Sequence, residues 1–289
     1  MIYVSSSCSK QKKIGAAIRE LAEHGFHNIE LSGGTKYYKG YENDIFDLKE
    51  KYNLDLLVHN FFPPPEEDFV LNLASLDDAI FEKSVVQLRK AIQLARLLGT
   101  DKFGFHAGFY MDVDVDKIGK AISTSHLYNK EQAYERFCNG FNLIKRESKK
   151  IRIYIENNVY SKTNFNIYGR QIPFMLTSSA DYRELQQHID FKLLLDVAHL
   201  YVSSQTLGFD FDSQLEEMIK ETDYIHVSDN DGRHDQNVEF MSGSKLLDKM
   251  KKKRLKDKTI TLEIYTGIDH LRTSFDSIAA IAAGDIHAI

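Results

Sequence analysis

The chain has 289 residues, of which 43% are hydrophobic and 27% are charged, ordinary values for a folded globular protein that argue against disorder. Its formal net charge of −5 gives no overall attraction to nucleic acid or to an anionic membrane. The sequence shows no charged leader before an apolar run, no stretch near the roughly 18 apolar residues of a membrane span, and only two cysteines, so we expect a cytoplasmic protein without a disulfide framework or a membrane partner.

Apolar runs bounded by turn residues alternate with helical patterns along the chain, which is typical of a parallel α/β sheet. A helical period of about 3.6 residues is clearest over Phe81–Leu98 and Tyr134–Lys149, and Gly25 and Gly99 fit helix C-caps. Eight runs are predicted to be strands: Ile2–Ser5, Asn28–Leu31, Asp55–His59, Lys102–His106, Arg152–Glu156, Lys192–Asp196, Tyr224–Val227 and Thr259–Ile264. Because eight strand-helix pairs in about 250 residues can close into one barrel, we predict an α/β fold, a (β/α)8 TIM barrel with a single domain over residues 1–289.

The predicted connections differ in length according to their direction. Helix-to-strand connections such as His24–His27 are short, whereas the strand-to-helix connections Asn60–Ser75, Ala107–Asn129 and Asn157–Ser178 are long. In a barrel these long loops all lie on the C-terminal face, where substrate binds. We therefore expect the functional site on that face.

Six of the predicted strands carry at their ends a residue that can bind a metal: His59, His106, Glu156, Asp196, His226 and Glu263. One such residue is more often a hydrogen-bonded polar group than a metal ligand. A barrel, however, gathers all six in one ring, and burying several carboxylates together without a cation is unfavourable. Ligands of the Glu, Asp and His types without Cys favour Zn²⁺, Mn²⁺ or Co²⁺ as the cofactor.

Six segments with these residues have a recognisable order and placement: VHNFF around His59, GFHAGF around His106, YIENN around Glu156, LLLDVAHLY with Asp196 and His199, IHVSDNDGRHDQN with His226 and Asp235, and TLEIY with Glu263. Together they resemble the xylose isomerase-like TIM-barrel superfamily over nearly the whole chain. That superfamily includes sugar isomerases and epimerases as well as endonuclease IV-type apurinic endonucleases.

The resemblance implies a metal site of four residues: Glu156, Asp196, His226 and Glu263. In the isomerase and epimerase branch, the metal would chelate adjacent carbonyl and hydroxyl oxygens of a sugar. Glu156 and Glu263 would then move protons on opposite sides of an enediolate intermediate, and His199 would hydrogen-bond the substrate or the developing oxyanion. Metal ligation alone is the competing role for the two glutamates. The leading hypothesis is thus a metal-dependent isomerase or epimerase with a small sugar or sugar derivative as its partner.

The nuclease branch implies more metals and provides the alternative hypothesis, a two- or three-metal phosphoester hydrolase. There His59 and His106 would join Glu156 at a second metal, while His199, Asp235 and a further His would hold a third. The sequence departs from that pattern, since Asn237 stands where an Asp-x-His pair would have its His, although His234 is near. A two-metal centre stays open. A binding protein with a structural metal is a third interpretation, because fold does not fix function.

Other residues bear on the choice of partner. The basic run Lys249–Lys258 is predicted to lie on the opposite face, and the acidic loop Asp112–Asp116 would repel a nucleic acid backbone, so we do not expect nucleic acid as a partner. Exposed helices on a barrel can be solvated or paired, so the sequence is compatible with a homo-oligomer. Four residues are predicted to contact substrate: Asn157, Asn158, Arg233 and Phe61. Turn chemistry for the Asn residues and packing for Phe61 are equally good explanations.

Overall fold

Eight parallel strands close into one barrel in sequence order in the computed structural model, which describes residues 1–117, 122 and 126–285. Each strand pairs in parallel with the next, and the last strand pairs with the first. This confirms the predicted TIM barrel. In the part of the chain that is described, no helix has both the length and the apolar character to cross a membrane.

Seven of the eight strands have the predicted bounds: β1 Ile2–Ser5, β2 Asn28–Leu31, β3 Asp55–His59, β4 Lys102–His106, β5 Arg152–Glu156, β6 Lys192–Asp196, β7 Tyr224–Val227 and β8 Thr259–Leu262. The prediction for β8 was wrong at its end, which lies before Glu263 rather than at Ile264. The cause is a contact with the segment after β1, because the backbone N–H of Ile264 donates to the Cys8 sulfur (3.3 Å) instead of to a neighbouring strand.

The helices of the described residues are α1 Ile14–Glu23, α2 Tyr41–Tyr52, α3 Asp78–Leu98, α4 Lys130–Ser148, α5 Lys162–Tyr168, α6 Ser179–Gln186, α7 Val197–Leu207, α8 Phe211–Met218, α9 Lys245–Met250 and α10 Ile268–Ala283. Helices α3 and α4 both begin a few residues before the segments in which the helical period is clearest. Their N-caps explain this, because the Asp77 side chain accepts from the Ala79 and Ile80 N–H groups and Asn129 accepts from that of Gln132.

Both predicted glycine caps are confirmed as left-handed glycines at the ends of their helices. Gly99 ends α3 in the left-handed conformation (φ 80°), as predicted. At the end of α1 the capping residue is His24, and Gly25 (φ 83°) follows it. The long loops after β3, β4 and β5 are present, with α5 inside the last, while residues 118–121 and 123–125 of the predicted loop Ala107–Asn129 lie outside the described residues.

The interior of the barrel holds a compact apolar cluster below the predicted site. Its members are Tyr3, Leu57, Tyr154, Leu194 and Tyr224. The last four each stand two residues before a predicted metal ligand on the same strand. Because strand side chains alternate between the two faces, that spacing directs the predicted ligands inward as well. The cluster therefore fills the barrel and leaves the polar groups above it at the C-terminal end.

The basic run predicted to lie away from the site pairs with helix α8 and the segment after it. Lys249 contacts Asp212, Lys253 lies 2.7 Å from Glu216, and the Lys258 ammonium donates to main-chain oxygens just before β7. These three of the seven basic residues of the run therefore have partners within the chain.

Candidate metal centre

All six strand-end residues come together at the C-terminal end of the barrel. Three groups of His, Asp and Glu side chains in the described parts of the chain place ligand atoms within 4.8 Å of one another: Glu156 with Asp196, His226 and Glu263; His59 with His106 and Glu156; and Glu30 with His59, His226 and Glu263. The first group is the four-residue set that the family resemblance implied. The second is the predicted partner set of a further metal.

Glu156 lies between the first two groups. Its Oε2 is 2.7 Å from His59 Nε2 and 3.4 Å from His106 Nδ1, while its Oε1 is 3.5 Å from His226 Nδ1. The side chain is fully buried, which opposes ionisation, but the His106, His59 and His226 rings hold its pKa well below the usual value. Glu156 is therefore a carboxylate that presents one oxygen to each group.

Asp196 owes its position to the junction of β6 and α7, which follow each other without a loop. Its Oδ1 accepts the backbone N–H of His199 (2.7 Å) as the N-cap of α7. Its Oδ2 is buried and has no hydrogen bond among the described residues. Burial, with Glu156 nearby, raises the pKa of Asp196 to about 7 despite the opposing effect of His199. A cation beside Oδ2 would favour the ionised form.

Unpartnered polar atoms are concentrated at this centre. In the described region the buried atoms without a hydrogen bond include both Glu156 carboxylate oxygens, Asp196 Oδ2, Glu30 Oε1, both ring nitrogens of His226, both ring nitrogens of His59, and His106 Nδ1. Buried polar groups normally find partners, so a set of unpaired acceptors directed at one space is unfavourable unless a cation joins them. Burial also lowers the pKa of His106 to about 4, which leaves that ring neutral and able to ligate. The residues fit a divalent metal with oxygen and nitrogen ligands.

His199 and Asp235 form a separate pair at the edge of the centre. His199 Nε2 lies 3.4 Å from Asp235 Oδ2, and Asn237 donates to the other oxygen of Asp235 (3.1 Å). His234, the nearby candidate for a third ligand, is exposed and pairs instead with Asp231 (2.8 Å). Neither His199 nor Asp235 belongs to any of the three groups found in the described residues.

The residues predicted to contact substrate have distinct surroundings. The Asn157 side chain bonds both the N–H (2.8 Å) and the carbonyl (3.0 Å) of Asp196, so it joins two strand ends. The Asn158 amide donates to three main-chain oxygens at Ala107, Gly108 and Met175. Phe61 lines the cavity described next, and Arg233 is exposed without lining it. Substrate contact by these four residues stays a prediction, and the structure gives both Asn side chains a structural role.

A cavity of about 660 Å³ opens above the metal-binding groups. One wall is polar and comes from the segments after β1 and β2, with Ser7, Ser9, Lys10, Gln11, Lys12 and Ser32. The facing wall is largely apolar, with Phe61, Val70, Phe109, Val113 and Phe174. His59, His106, His199 and Glu263 are also among the lining residues. This volume and this mixture of polar and apolar walls suit a polar small molecule.

Two residues near the centre were missed by the sequence analysis. Glu30, on β2, is fully buried inside the barrel, and Asn60 follows His59 with 4% exposure. Both amide atoms of Asn60 are buried without a partner among the described residues, although the residue lines the cavity. A carboxylate inside a buried strand was an available signal for Glu30, since carboxylates are depleted in strands.

A glycine on β4 determines how closely the His59 ring can pack. Gly104 pairs with His59, and a Cβ added to it would lie 2.8 Å from Leu194 Cδ2 and 3.1 Å from His59 Cδ2. We expect Gly104→Ala to lower the free energy of unfolding by about 1–3 kcal/mol, because the packed neighbours must move. Urea unfolding measures this. Gly33→Ala is the matched control, since its Cβ would meet Phe61 at an ordinary 3.5 Å, and an equal loss there would contradict the explanation.

The chain is similar in sequence to a known protein family and to one curated relative. The sequence matches the family described as xylose isomerase-like TIM barrel over residues 18–281. A curated relative, probable endonuclease 4 from Carboxydothermus hydrogenoformans, is 25% identical over 200 residues, which are 66% of this chain and 59% of that protein. The match therefore spans less than two thirds of the relative.

Two solved structures have similar folds at low sequence identity. A D-tagatose 3-epimerase-like protein is 18% identical with a TM-score of 0.73, and the match covers 99% of this chain and 98% of that one. Endonuclease IV from Thermus thermophilus is 16% identical with a TM-score of 0.61, and the match covers 98% of both chains. At these identities the likeness establishes the fold alone.

Proposed function

We propose that this chain, which belongs to the xylose isomerase-like TIM barrel family, is a metal-dependent isomerase or epimerase of a sugar or sugar derivative. The observation that carries the proposal is the four-residue group of Glu156, Asp196, His226 and Glu263, buried at the base of a cavity with polar and apolar walls. The epimerase-like protein of similar fold supports the same reaction class by analogy.

The metal and the two glutamates of the four-residue group would each contribute differently to the reaction. A divalent metal held by the four residues would polarise neighbouring carbonyl and hydroxyl oxygens of the substrate and so acidify the C–H bond between them. Glu263 lines the cavity with 6% exposure, and although burial opposes its ionisation, His226 lowers its pKa. We assign the acceptance of the substrate proton to Glu263. Glu156 would deliver a proton to the opposite side of the substrate, after taking up that proton from solvent.

Polar residues around the two glutamates would orient the substrate. His199 lines the cavity, and its Nδ1 lies 2.9 Å from the main-chain oxygen of Asn157, which fixes the ring so that Nε2 remains for a substrate oxygen or for Asp235. The unpaired amide of Asn60 would gain its missing hydrogen bonds from a substrate hydroxyl. Phe61 and Phe109 would exclude water from the apolar side of the cavity.

Solvent isotope exchange tests the reaction on many candidate substrates at once. We expect the protein loaded with Zn²⁺, Mn²⁺ or Co²⁺ to incorporate deuterium from D₂O into at least one member of a panel of ketoses, aldoses and sugar phosphates, detected by mass spectrometry. The metal-free protein is the control and should give no exchange. Absence of exchange across the whole panel with every metal would count against an isomerase or epimerase.

The second candidate function is hydrolysis of phosphate esters, and one observation favours it. Glu156 Oε2 faces His59 and His106, which gives a second group of ligands that shares Glu156 with the first. Two metals about 3.5–4 Å apart are a common arrangement for phosphoester hydrolysis. The 25% identical relative described as probable endonuclease 4 points the same way.

Metal stoichiometry of histidine variants separates the two candidates. For an isomerase or epimerase we expect His59→Ala and His106→Ala to retain one metal equivalent per chain by elemental analysis, as in the unaltered protein, because neither belongs to the four-residue group. His188→Ala is a control, since His188 packs edge-on against Tyr134 outside the centre. Loss of one of two equivalents in the His59 and His106 variants, together with hydrolysis of a phosphate ester, would instead support the hydrolase.

A further inference from the structure

Glu30 occupies an unusual place for a carboxylate, inside the barrel and out of contact with solvent. It lies in β2, with side-chain neighbours on β7 and β8 across the barrel interior. Its Oε1 is 3.0 Å from Nε2 of His226, although the two atoms are not aligned as a hydrogen bond and neither has another hydrogen-bond partner among the described residues. The opposite ring nitrogen of His226 faces Glu156 and Glu263. The histidine therefore stands between Glu30 and two other members of the four-residue metal group, Glu156 and Glu263.

The second oxygen of Glu30 is fully engaged. Oε2 accepts the hydroxyl protons of Tyr224 and of Thr261, the latter at 2.9 Å. Two hydrogen bonds from two different strands fix the plane of the carboxylate. The remaining oxygen, Oε1, is thereby held toward the His226 ring. A buried carboxylate would not persist at this position without such donors, because an unpaired buried charge is costly.

We propose that Glu30 is a positioning residue for the metal centre. Its Oε1 would accept the Nε2–H of His226 and so direct the Nδ1 lone pair of that ring at the metal. Carboxylates that hydrogen-bond the distal nitrogen of a ligating histidine fix its tautomer and orientation and increase its basicity. Tyr224 and Thr261 would not bind the metal themselves but hold Glu30 in place through their hydroxyl hydrogen bonds. This inference rests on the metal site of the proposed function but not on the reaction catalysed there.

The geometry also distinguishes this role from direct ligation. Glu30, His59, His226 and Glu263 form one of the three groups that could hold an ion, so Glu30 could in principle be a ligand itself. A metal bound between Glu30 and His226 Nε2, the nitrogen beside Glu30, would leave Nδ1 of that ring without a metal. Nδ1 instead lies 3.5 Å from Glu156 and 3.6 Å from Glu263, which matches the four-residue group.

The Glu30→Gln variant tests the proposal by metal affinity measured in the absence of substrate. Glutamine keeps the shape of the side chain, and its amide can still bond the Tyr224 and Thr261 hydroxyls, but it removes the negative charge beside His226. We expect the Kd for Zn²⁺, determined by competition with a chromophoric chelator, to rise by about 10–100-fold. The visible absorption spectrum of the Co²⁺ protein should also change in intensity, because the His226 ring is less firmly oriented.

Asp223→Asn is the matched control. Asp223 also accepts a hydroxyl proton from a barrel tyrosine, Tyr154 (2.8 Å), and it lies just before β7, at the opposite end of that strand from the metal centre. We expect this variant to change the thermal stability without changing the Kd for Zn²⁺. An unchanged Kd in Glu30→Gln, or an equal rise in Asp223→Asn, would overturn the proposal.

A milder variant keeps the test informative if Glu30→Gln folds poorly. Tyr224→Phe removes one of the hydroxyl donors to Glu30 while keeping the aromatic packing, so we expect a smaller rise in Kd and a spectral change of the same kind. X-ray absorption that shows one ligand fewer in Glu30→Gln would make Glu30 a direct ligand and would overturn the positioning role. Weakened metal binding can be observed whether or not isotope exchange occurs, so failure of this inference and failure of the proposed function are distinguishable.

Discussion

Glu156→Ala is expected to lose its bound divalent metal, however many ions the unaltered protein holds. Glu156 is the residue that the four-residue group and the His59 and His106 group have in common, with one carboxylate oxygen directed at each. Removal of a direct ligand should weaken binding by more than the roughly 10–100-fold that changes outside the ligand shell cost. Elemental analysis of protein purified without added chelator, followed by a Zn²⁺ titration, measures both the stoichiometry and the affinity.

The thermal midpoint provides a second observable for the same variant. A metal that binds only the folded state raises its stability in proportion to the logarithm of the ratio of metal concentration to Kd. We therefore expect added Zn²⁺ to raise the Tm of the unaltered protein and to leave that of Glu156→Ala nearly unchanged. Glu147→Ala, which removes an exposed carboxylate paired with Arg89 (2.6 Å), should behave like the unaltered protein. Full metal content in Glu156→Ala would show that the groups do not hold a metal as described.

The architecture of the barrel could be predicted from the sequence because each strand is short, apolar and bounded by turn residues. Seven strands have the predicted bounds, and the exception, β8, ends early because Ile264 bonds Cys8 rather than a strand. That contact joins residues far apart in sequence, so no local pattern could reveal it. The ring of strand-end residues was predictable for the same reason as the strands, since a barrel brings every strand end to one face.

The surroundings of the metal centre were less predictable. Glu156 and Asp196 were predicted from their places at strand ends, whereas Glu30 was not, although it stands one residue before the end of β2 as His226 does in β7. Its contact with His226 across the barrel is visible only in the structure. Asn157 was predicted to contact substrate, which stays a prediction, but its amide bonds to the backbone of Asp196 on the next strand were not foreseen. Such contacts depend on the register between strands, which the hydrophobic pattern alone does not give.

Glu263→Gln is expected to lower the rate of isotope exchange by roughly 10²–10⁴-fold, the usual effect of losing a general base. Glu263 combines two properties within the four-residue group, since it lines the cavity and its carboxylate oxygen lies 3.6 Å from His226 Nδ1. Glutamine retains a ligand oxygen but cannot accept a proton from carbon. The rate of deuterium incorporation into the substrate found by the panel, measured at saturating metal, checks this prediction.

Metal binding by Glu263→Gln must be measured separately, because loss of a ligand and loss of a base would both lower the exchange rate. If the carboxylate acts only as a ligand, raising the metal concentration should restore exchange as the site fills, whereas loss of a base cannot be restored in this way. Glu239→Gln is the matched control, because Glu239 pairs with His270 (3.2 Å) outside the three metal-binding groups, and it should exchange at the normal rate. Normal exchange by fully metal-loaded Glu263→Gln would assign proton transfer to another residue, and Glu156 would then be the first to test.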